Sequence, residues 1–423
     1  LVTDTILGFS PQTPRCSRIV CLALFERYEL ILLFSHTQPC CSERFYPMTT
    51  YQDAGVHLSL GDKASEIMYE AARETWKNRA GLLGEVIVPF DDFSGLRAID
   101  VSNLPKGTLM NIGFDGIGTK VEIAERVGDH STMAFDLFAM VCDDAVIRGA
   151  EPVLIGSILD LNTLGDDQRD HIDVIRQLAD GYVKAAADAG VAVVNGEVAE
   201  LGLRVGGVGD FCCNWGAAVV WFAKREHILT GEDVRPGDTI VGLREEGFRS
   251  NGLSLLRKAM SDLHGDVWHT LPFEGKTMGE WALWPSRIYS RTVVDMVGGF
   301  EKGARAKVHA AAHITGGGVP GKLGRALKKS GYGARLDDLF TPSPLMLYCQ
   351  EHAGIADKEA YRTWNMGQGM ALVTPEPDVV LDIAKEHGVE AKVIGSVQEQ
   401  ATIDIKSKGF ASPDKWFSFG LDE

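Results

Sequence analysis

The sequence predicts a layered α/β protein built of two units, and three observations carry that expectation. From Met48 onward, short apolar runs alternate with amphipathic stretches, the pattern of strands joined by helices. Glycine and proline fall at the seams, as in Gly149-Ala150-Glu151-Pro152, where glycine ends a helix and proline forbids its continuation. A fresh turn at Arg235-Pro236-Gly237-Asp238 then introduces a second set of elements. Each unit approaches the size of an ordinary domain.

In chain order, residues 1–47 show neither helical nor strand period and change composition abruptly at Met48. They are read as a leader outside the fold, poorly ordered, and too acidic (Asp4, Glu26, Glu29, Glu43) for a good transit peptide. Ser65 to Lys77 has helical period, and Leu83 to Val88 and Leu109 to Gly113 read as strands. Ser131 is placed as the cap of a helix running through Arg148. Val153 to Leu161 is a buried strand, Asp167 to Asp188 a helix ended by Gly190, and Val191 to Glu197 another buried strand. In the second unit, Thr239 to Leu243 is a strand and Ser250 caps a helix from Leu253 to Met260. A triple-glycine turn at Gly316 to Gly318, a helix with Pro320 near its first turn, and a strand from Gly369 to Thr374 follow. The first unit is placed at 48–228, the second at 229–410, and a tail at 411–423, with the joint near 224–235.

Composition narrows the function. The net charge of −16 carries no basic stripe, which argues against nucleic acid and anionic membranes as partners. The nearest candidate span, Ile19 to Phe34, is interrupted by Glu26, Arg27 and Glu29. Cys142, Cys212, Cys213 and Cys349 have no metal-ligand spacing and read as buried reduced thiols, which fits a cytoplasmic protein.

Gly113-Phe114-Asp115-Gly116-Ile117-Gly118-Thr119-Lys120 is the most informative stretch. Glycines let a ligand approach the backbone, and the turn adds one carboxylate and one ammonium, the pair needed around a metal-bound polyphosphate. It is not a Walker A loop, since Lys120 follows the threonine. Asp136 and Asp143 lie seven residues apart on one face of an otherwise apolar helix, with Asp144 at its edge. Buried carboxylates must be ion-paired or bound to metal, and the sequence leaves both open, with Asp144–Arg148 one possible pair. Glu197 ends a buried strand, a common position for ligand groups. The acids, the turn and the lysine together point to a magnesium–nucleotide site.

In the second unit, Gly247-Phe248-Arg249-Ser250-Asn251-Gly252 either seats an anion at a helix N-terminus or is a plain capping turn. His313-Ile314-Thr315-Gly316-Gly317-Gly318 joins a histidine to a run of three glycines. Asn365-Met366-Gly367-Gln368-Gly369-Met370 is again polar and glycine-rich before a strand.

These motifs, with Tyr51-Gln52-Asp53-Ala54-Gly55-Val56 and Gly196-Glu197-Val198-Ala199-Glu200, occur in one order from about Tyr51 to about Gly395. The order resembles the phosphoribosylformylglycinamidine cyclo-ligase (AIR synthetase) family of purine biosynthesis. The resemblance implies an N-terminal α/β domain that dimerises through its sheet and a C-terminal α+β domain. It implies ATP and Mg²⁺, a small-molecule substrate, and a homodimer. Asp115, Asp136, Asp144 and Glu197 would hold the metal, with Gly116, Gly118, Thr119 and Lys120 against the phosphates. Lys120 and His313 would be the catalytic residues. Arg249, Ser250, Asn251, Gly252, Thr315, Gly316, Gly317 and Asn365 would face the substrate. The chain departs from the family pattern where Phe248-Arg249 replaces the usual Pro-His and Asp143-Asp144 the usual Asn-Asp. Asp91-Asp92-Phe93-Ser94-Gly95 and Leu201-Gly202-Leu203-Arg204 also differ from it. Two other readings stay open: a superfamily member that transfers phosphate to a different substrate, and a nucleotide-binding regulator without turnover.

Overall fold

The computed structural model describes residues 57–89, 95–166, 168–300 and 302–423. The leader at 1–47, the motif at 51–56 and most of the segment at 91–95 lie outside the described residues. Helix α1 (Leu58–Thr75) comes first, followed by β1 (Val86–Ile87) and β2 (Ala98–Ile99), a short antiparallel pair. Then come β3 (Leu109–Gly116), α2 (Lys120–Val127), α3 (Met133–Val146), β4 (Glu151–Leu161), α4 (Ile172–Ala189), β5 (Ala192–Glu200) and β6 (Cys213–Ala223). Four of these strands form a sheet in the order β3-β6-β4-β5, with β4 and β5 parallel and the other pairs antiparallel.

Several local boundaries differ from the sequence reading, each for a visible reason. β3 runs on to Gly116 because Asp115 and Gly116 still pair with Ala217 and Gly216, which confines the turn to residues 117–119. Ser131 does not cap α3: its hydroxyl and amide both bond Asp129 Oδ1. α4 starts at Ile172, after a small loop closed by Asp166 N to Arg169 O and His171 N to Leu164 O. Gly190, in the left-handed region, ends it as expected.

α3 and α4 bury the inner face of this sheet, where Leu137, Phe138, Tyr182 and Trp215 pack together. The outer face is bare, and Phe114 there is 74% exposed, alongside exposed Met110, Ile112 and Ile158. A two-sided hydrophobic sheet with only one side covered is a surface awaiting a partner.

The chain passes to a second layer between Ala223 and Thr239. It comprises β7 (Thr239–Arg244), α5 (Leu253–His264), β8 (Pro272–Phe273), β9 (Lys276–Thr277), α6 (Met278–Ala282), α7 (Ser290–Val297) and β10 (Ala310–His313). α8 (Gly318–Leu327), β11 (Gly333–Leu336), α9 (Pro344–Ala353), α10 (Asp357–Thr363) and β12 (Gln368–Thr374) come next. α11 (Pro377–Glu386), β13 (Ala391–Gln398), β14 (Thr402–Lys406) and β15 (Trp416–Gly420) complete it. Seven strands pair in the order β10-β12-β7-β13-β11-β14-β15, all antiparallel except β11 with β14. β12 is buried along its whole length, since helices cover both faces, so it shows no polar–apolar alternation. Residues 411–423, expected as a tail, supply β15 to the sheet edge, where Phe419 is buried. The architecture is α/β followed by α+β. One apolar cluster runs through both layers, from Phe138 and Trp215 to Phe248 and Trp364.

Candidate active site

Three connections meet at the junction of the layers: the turn after β3, the loop between β7 and α5, and the turn between β10 and α8. Their approach is close. A side chain on Gly118 would touch the Ser250 carbonyl at 3.8 Å, and one on Gly316 would touch Asn251 Nδ2 at 3.6 Å. Two positions tolerate nothing larger than glycine. At Gly252 (φ +75°) a Cβ would sit 2.4 Å from Trp364, and at Gly318 (φ +60°) one would sit 1.9 Å from the Tyr361 carbonyl oxygen. Gly252, not Ser250, is the N-cap of α5. Asn365 binds these loops together: its Nδ2 donates to Gly247 O at 2.8 Å and its Oδ1 accepts from Gly367 N at 2.8 Å. Both ends of that amide are thus occupied by the backbone.

Two polar atoms on these loops are left over. Ser250 Oγ and Asn251 Oδ1 are buried without a hydrogen-bond partner among the described residues. Buried polar atoms in native proteins are nearly always satisfied, so this pair asks for one. Thr315 is buried beside them, and its carbonyl closes the first turn of α8 by accepting from Gly318 N.

Asp115, at the end of β3, and Asp144, on α3, are near enough to interact electrostatically. Burial raises the Asp115 carboxyl, its bond from Gly116 N lowers it, and the nearby Asp144 raises it again. Lys322, on the second turn of α8, acts on both acids, while burial lowers its own pKa. Lys322 forms no hydrogen bond or close ion pair among the described residues. The sequence reading missed it. Its only signal was its place, four residues past the last of the three glycines.

Behind the cleft lies a buried chain of charges. Asp144 Oδ1 is 2.9 Å from His313 Nδ1, and His313 Nε2 is 2.7 Å from Arg249 Nη2. Arg249 Nη2 also reaches Asp143 Oδ2 at 3.0 Å, and its Nη1 reaches Glu245 Oε2 at 2.6 Å and the Arg287 carbonyl at 3.0 Å. Asp143 in turn accepts from Tyr289 N at 2.9 Å. Burial pushes the Asp143 carboxyl up to about 7 against the pull of Arg249 and the Tyr289 amide. Burial opposes the Arg249 charge too, but Glu245 and Asp143 outweigh it and raise its pKa. Burial and the neighbouring guanidinium lower His313 to about 4, so the ring is neutral near pH 7. Two of the positions that depart from the family pattern, Asp143 and Arg249, are therefore in contact.

The sequence-predicted residues divide accordingly. Asp115, Asp144, Ser250, Asn251, Thr315, Gly316 and Gly317 line or approach the cleft, with Gly116, Gly118 and Thr119 in the strand end and turn beside it. His313 backs onto it through Asp144. Arg249, expected against substrate, is fully enclosed by its ion pairs. Lys120 and Asp136 pair with each other at 2.7 Å, both with fully buried side chains. Lys120 also donates to the Trp284 carbonyl at 2.6 Å, and Ser286 Oγ donates to Asp136. Eight residues along α3 separate Asp136 from Asp144, roughly 12 Å. Glu197 stands on the other edge of the first sheet, three strand spacings or roughly 14 Å from Asp115. It opens with Asp115 onto a hollow of about 710 Å³ on the bare sheet face. Arg148 bonds the Asp144 backbone carbonyl, leaving the carboxylate to His313. A cavity of about 770 Å³ beside Trp284, Arg287 and Arg291 contains none of the predicted site residues.

No group of three His, Cys, Asp or Glu side chains among the described residues is arranged to hold a metal alone. Two acids near enough for Asp144 to raise the Asp115 carboxyl still suit magnesium. That ion commonly takes one or two carboxylates and completes its shell with phosphate and water.

Residues 97–217 match the family described as AIR synthase related protein, N-terminal domain, and residues 235–408 match its C-terminal domain. The chain belongs to the AIR synthase related family. Similar proteins in this family include the phosphoribosylformylglycinamidine cyclo-ligase of Anaeromyxobacter sp. strain Fw109-5, 34% identical over 82% of this chain and 96% of that protein. The cyclo-ligase of Pyrococcus furiosus is 32% identical over 86% and 99%. Two solved structures share the AIR synthase fold at low identity. Thiamine-monophosphate kinase from Stenotrophomonas maltophilia K279a has TM-score 0.53 at 16% identity, covering 82% of this chain and 97% of that one. E. coli HypE has TM-score 0.54 at 15% identity, covering 84% and 97%.

Proposed function

We propose that this chain is an ATP-dependent cyclo-ligase that converts formylglycinamidine ribonucleotide to aminoimidazole ribonucleotide in purine biosynthesis. The observation that carries the proposal is its 34% identity to a cyclo-ligase along nearly that protein's whole length. The cleft suits the chemistry. An amide oxygen cannot leave until it is phosphorylated. ATP gives its terminal phosphoryl group to the formyl oxygen, releasing ADP. The amidine nitrogen then bonds to that carbon and releases its proton to solvent, the C–O bond breaks, and the phosphorylated oxygen departs as inorganic phosphate.

In this reading Asp115 and Asp144 would hold magnesium, which would supply charge neutralisation to the phosphates. Lys322 and the first turn of α8 receive phosphate oxygens. Ser250 Oγ and Asn251 Oδ1 bond the substrate and fix the attacking nitrogen near its target, a gain of proximity rather than of acid–base chemistry. Lys120 and Asp136 fasten the layers. Arg249, locked among buried acids, gives no ground for a different substrate.

The bare sheet face supports a homodimer, with Phe114, Met110, Ile112 and Ile158 as its apolar centre. Glu197 opens on that face, so its part in metal binding belongs to the dimer. The combined Phe114→Glu and Ile158→Glu variant is expected to elute as a monomer in size-exclusion chromatography with light scattering. Unchanged dimer mass, or a monomeric parent, would refute that surface. No helix among the described residues is long and apolar enough to cross a membrane, and the four described cysteines are buried and free, which suits the cytoplasm. Growth of a cyclo-ligase-deficient purine auxotroph carrying this chain tests the activity, and failure of the expressed, folded protein to restore it would count against the assignment.

A further inference from the structure

Arg249 is placed with unusual insistence. Its backbone is left-handed (φ +58°), a region a long side chain adopts only when its surroundings compel it. Its guanidinium is fully buried over the Tyr289 ring and shared among Glu245, Asp143, the Arg287 carbonyl and His313. An arginine can only donate, so the 2.7 Å contact at His313 Nε2 requires that nitrogen to accept. The ring proton is then on Nδ1, which faces the Asp144 carboxylate at 2.9 Å.

We infer that Arg249 is a positioning residue: it fixes the His313 tautomer whose Nδ1–H holds Asp144 in place to serve the nucleotide cleft. Asp143 and Glu245 hold the guanidinium in the one orientation that leaves an N–H for the ring. Asp144 is the only member of the chain that reaches solvent, with 44% of its side chain exposed. The device deepens the proposed function, since Asp144 matters through the metal–nucleotide it would bind, but the tautomer is a property of the free protein.

The test reads the tautomer and the nucleotide separately. Protein labelled with ¹⁵N-histidine is examined by NMR without ligand at pH 7.5, and the His313 signals are assigned by their loss in His313→Gln. The inference expects a protonated Nδ1 and a bare Nε2. The opposite tautomer, or a freely exchanging mixture, would overturn it whether or not any variant folds. Arg249→Lys keeps the charge but removes the planar fork, so it is expected to shift the tautomer and weaken binding of a non-hydrolysable ATP analogue with Mg²⁺ at least tenfold. A folded Arg249→Lys protein with the parent's tautomer and affinity would also overturn it. A correct tautomer in a protein without cyclo-ligase activity would refute the function and leave the positioning intact.

Discussion

The two ends of α3 carry the same kind of side chain and treat it differently. At the N-terminal end, Asp136 is sealed by Lys120 and Ser286, with no solvent on either partner of the ion pair. At the C-terminal end, Asp144 meets a neutral histidine on one side and open space, Asp115 and Lys322 on the other. A carboxylate held to a buried cation inside the protein is a fastener, even though Asp136 Oδ2 has no partner of its own among the described residues. One that is half-exposed beside another acid and an unbonded lysine, its charge favoured against the cost of burial by His313, Arg148 and Lys322, stays open to a bound cation or phosphate. The contrast separates a sealed acid from an open one on a single helix.

The largest expected effect lies at the sealed end. Lys120→Met removes a buried cation and strands Asp136, a loss of about 3–5 kcal/mol. Urea denaturation measures it, and a loss below about 1 kcal/mol would mean that the ion pair is not a fastener. At the open end the balance reverses. Asp144→Asn and Asp115→Asn are expected to change stability by less than about 1 kcal/mol, as for substitutions outside a packed core. Each should weaken magnesium-dependent ATP binding by about tenfold or more, or 1.4 kcal/mol. Calorimetric titration decides this, and parental affinity in both variants would erase the distinction between the two ends.

A smaller effect concerns the histidine just before α3. His130, just before α3, is lowered to about 4 chiefly by burial, and neither ring nitrogen has a partner among the described residues. The unfolded chain protonates near 6.5 while the folded one resists. Stability is therefore intact above about 6.5 and is lost as pH falls toward 4. His130→Phe, which keeps the edge-on contact with Phe211, should lose less melting temperature across that window than the parent does. Equal losses in the two proteins would show that His130 does not titrate there.

The order of elements was legible because glycine, proline and hydrophobic period are local signals. β3, β5, β7 and β12 sit close to where those signals put them. The ends slipped where a long-range partner intervened: β6 extends β3 to Gly116, and the sheet edge recruits β15 from a segment that reads as a tail. The acids were legible as a set but not as individuals. Whether a buried aspartate meets a lysine, an arginine or a ligand depends on residues elsewhere in the chain, 106 positions away for Asp143 and Arg249. Lys322 was illegible for the converse reason, since a lone lysine on a helix has no sequence signature until the fold turns it toward Asp115.

The central claim is tested most directly by incubating the purified protein with ATP, Mg²⁺ and formylglycinamidine ribonucleotide while following ADP and aminoimidazole ribonucleotide together. The account predicts ADP release that depends on the substrate and equals the imidazole product mole for mole. ADP release indifferent to the substrate, or none with it present, would contradict the cyclo-ligase assignment.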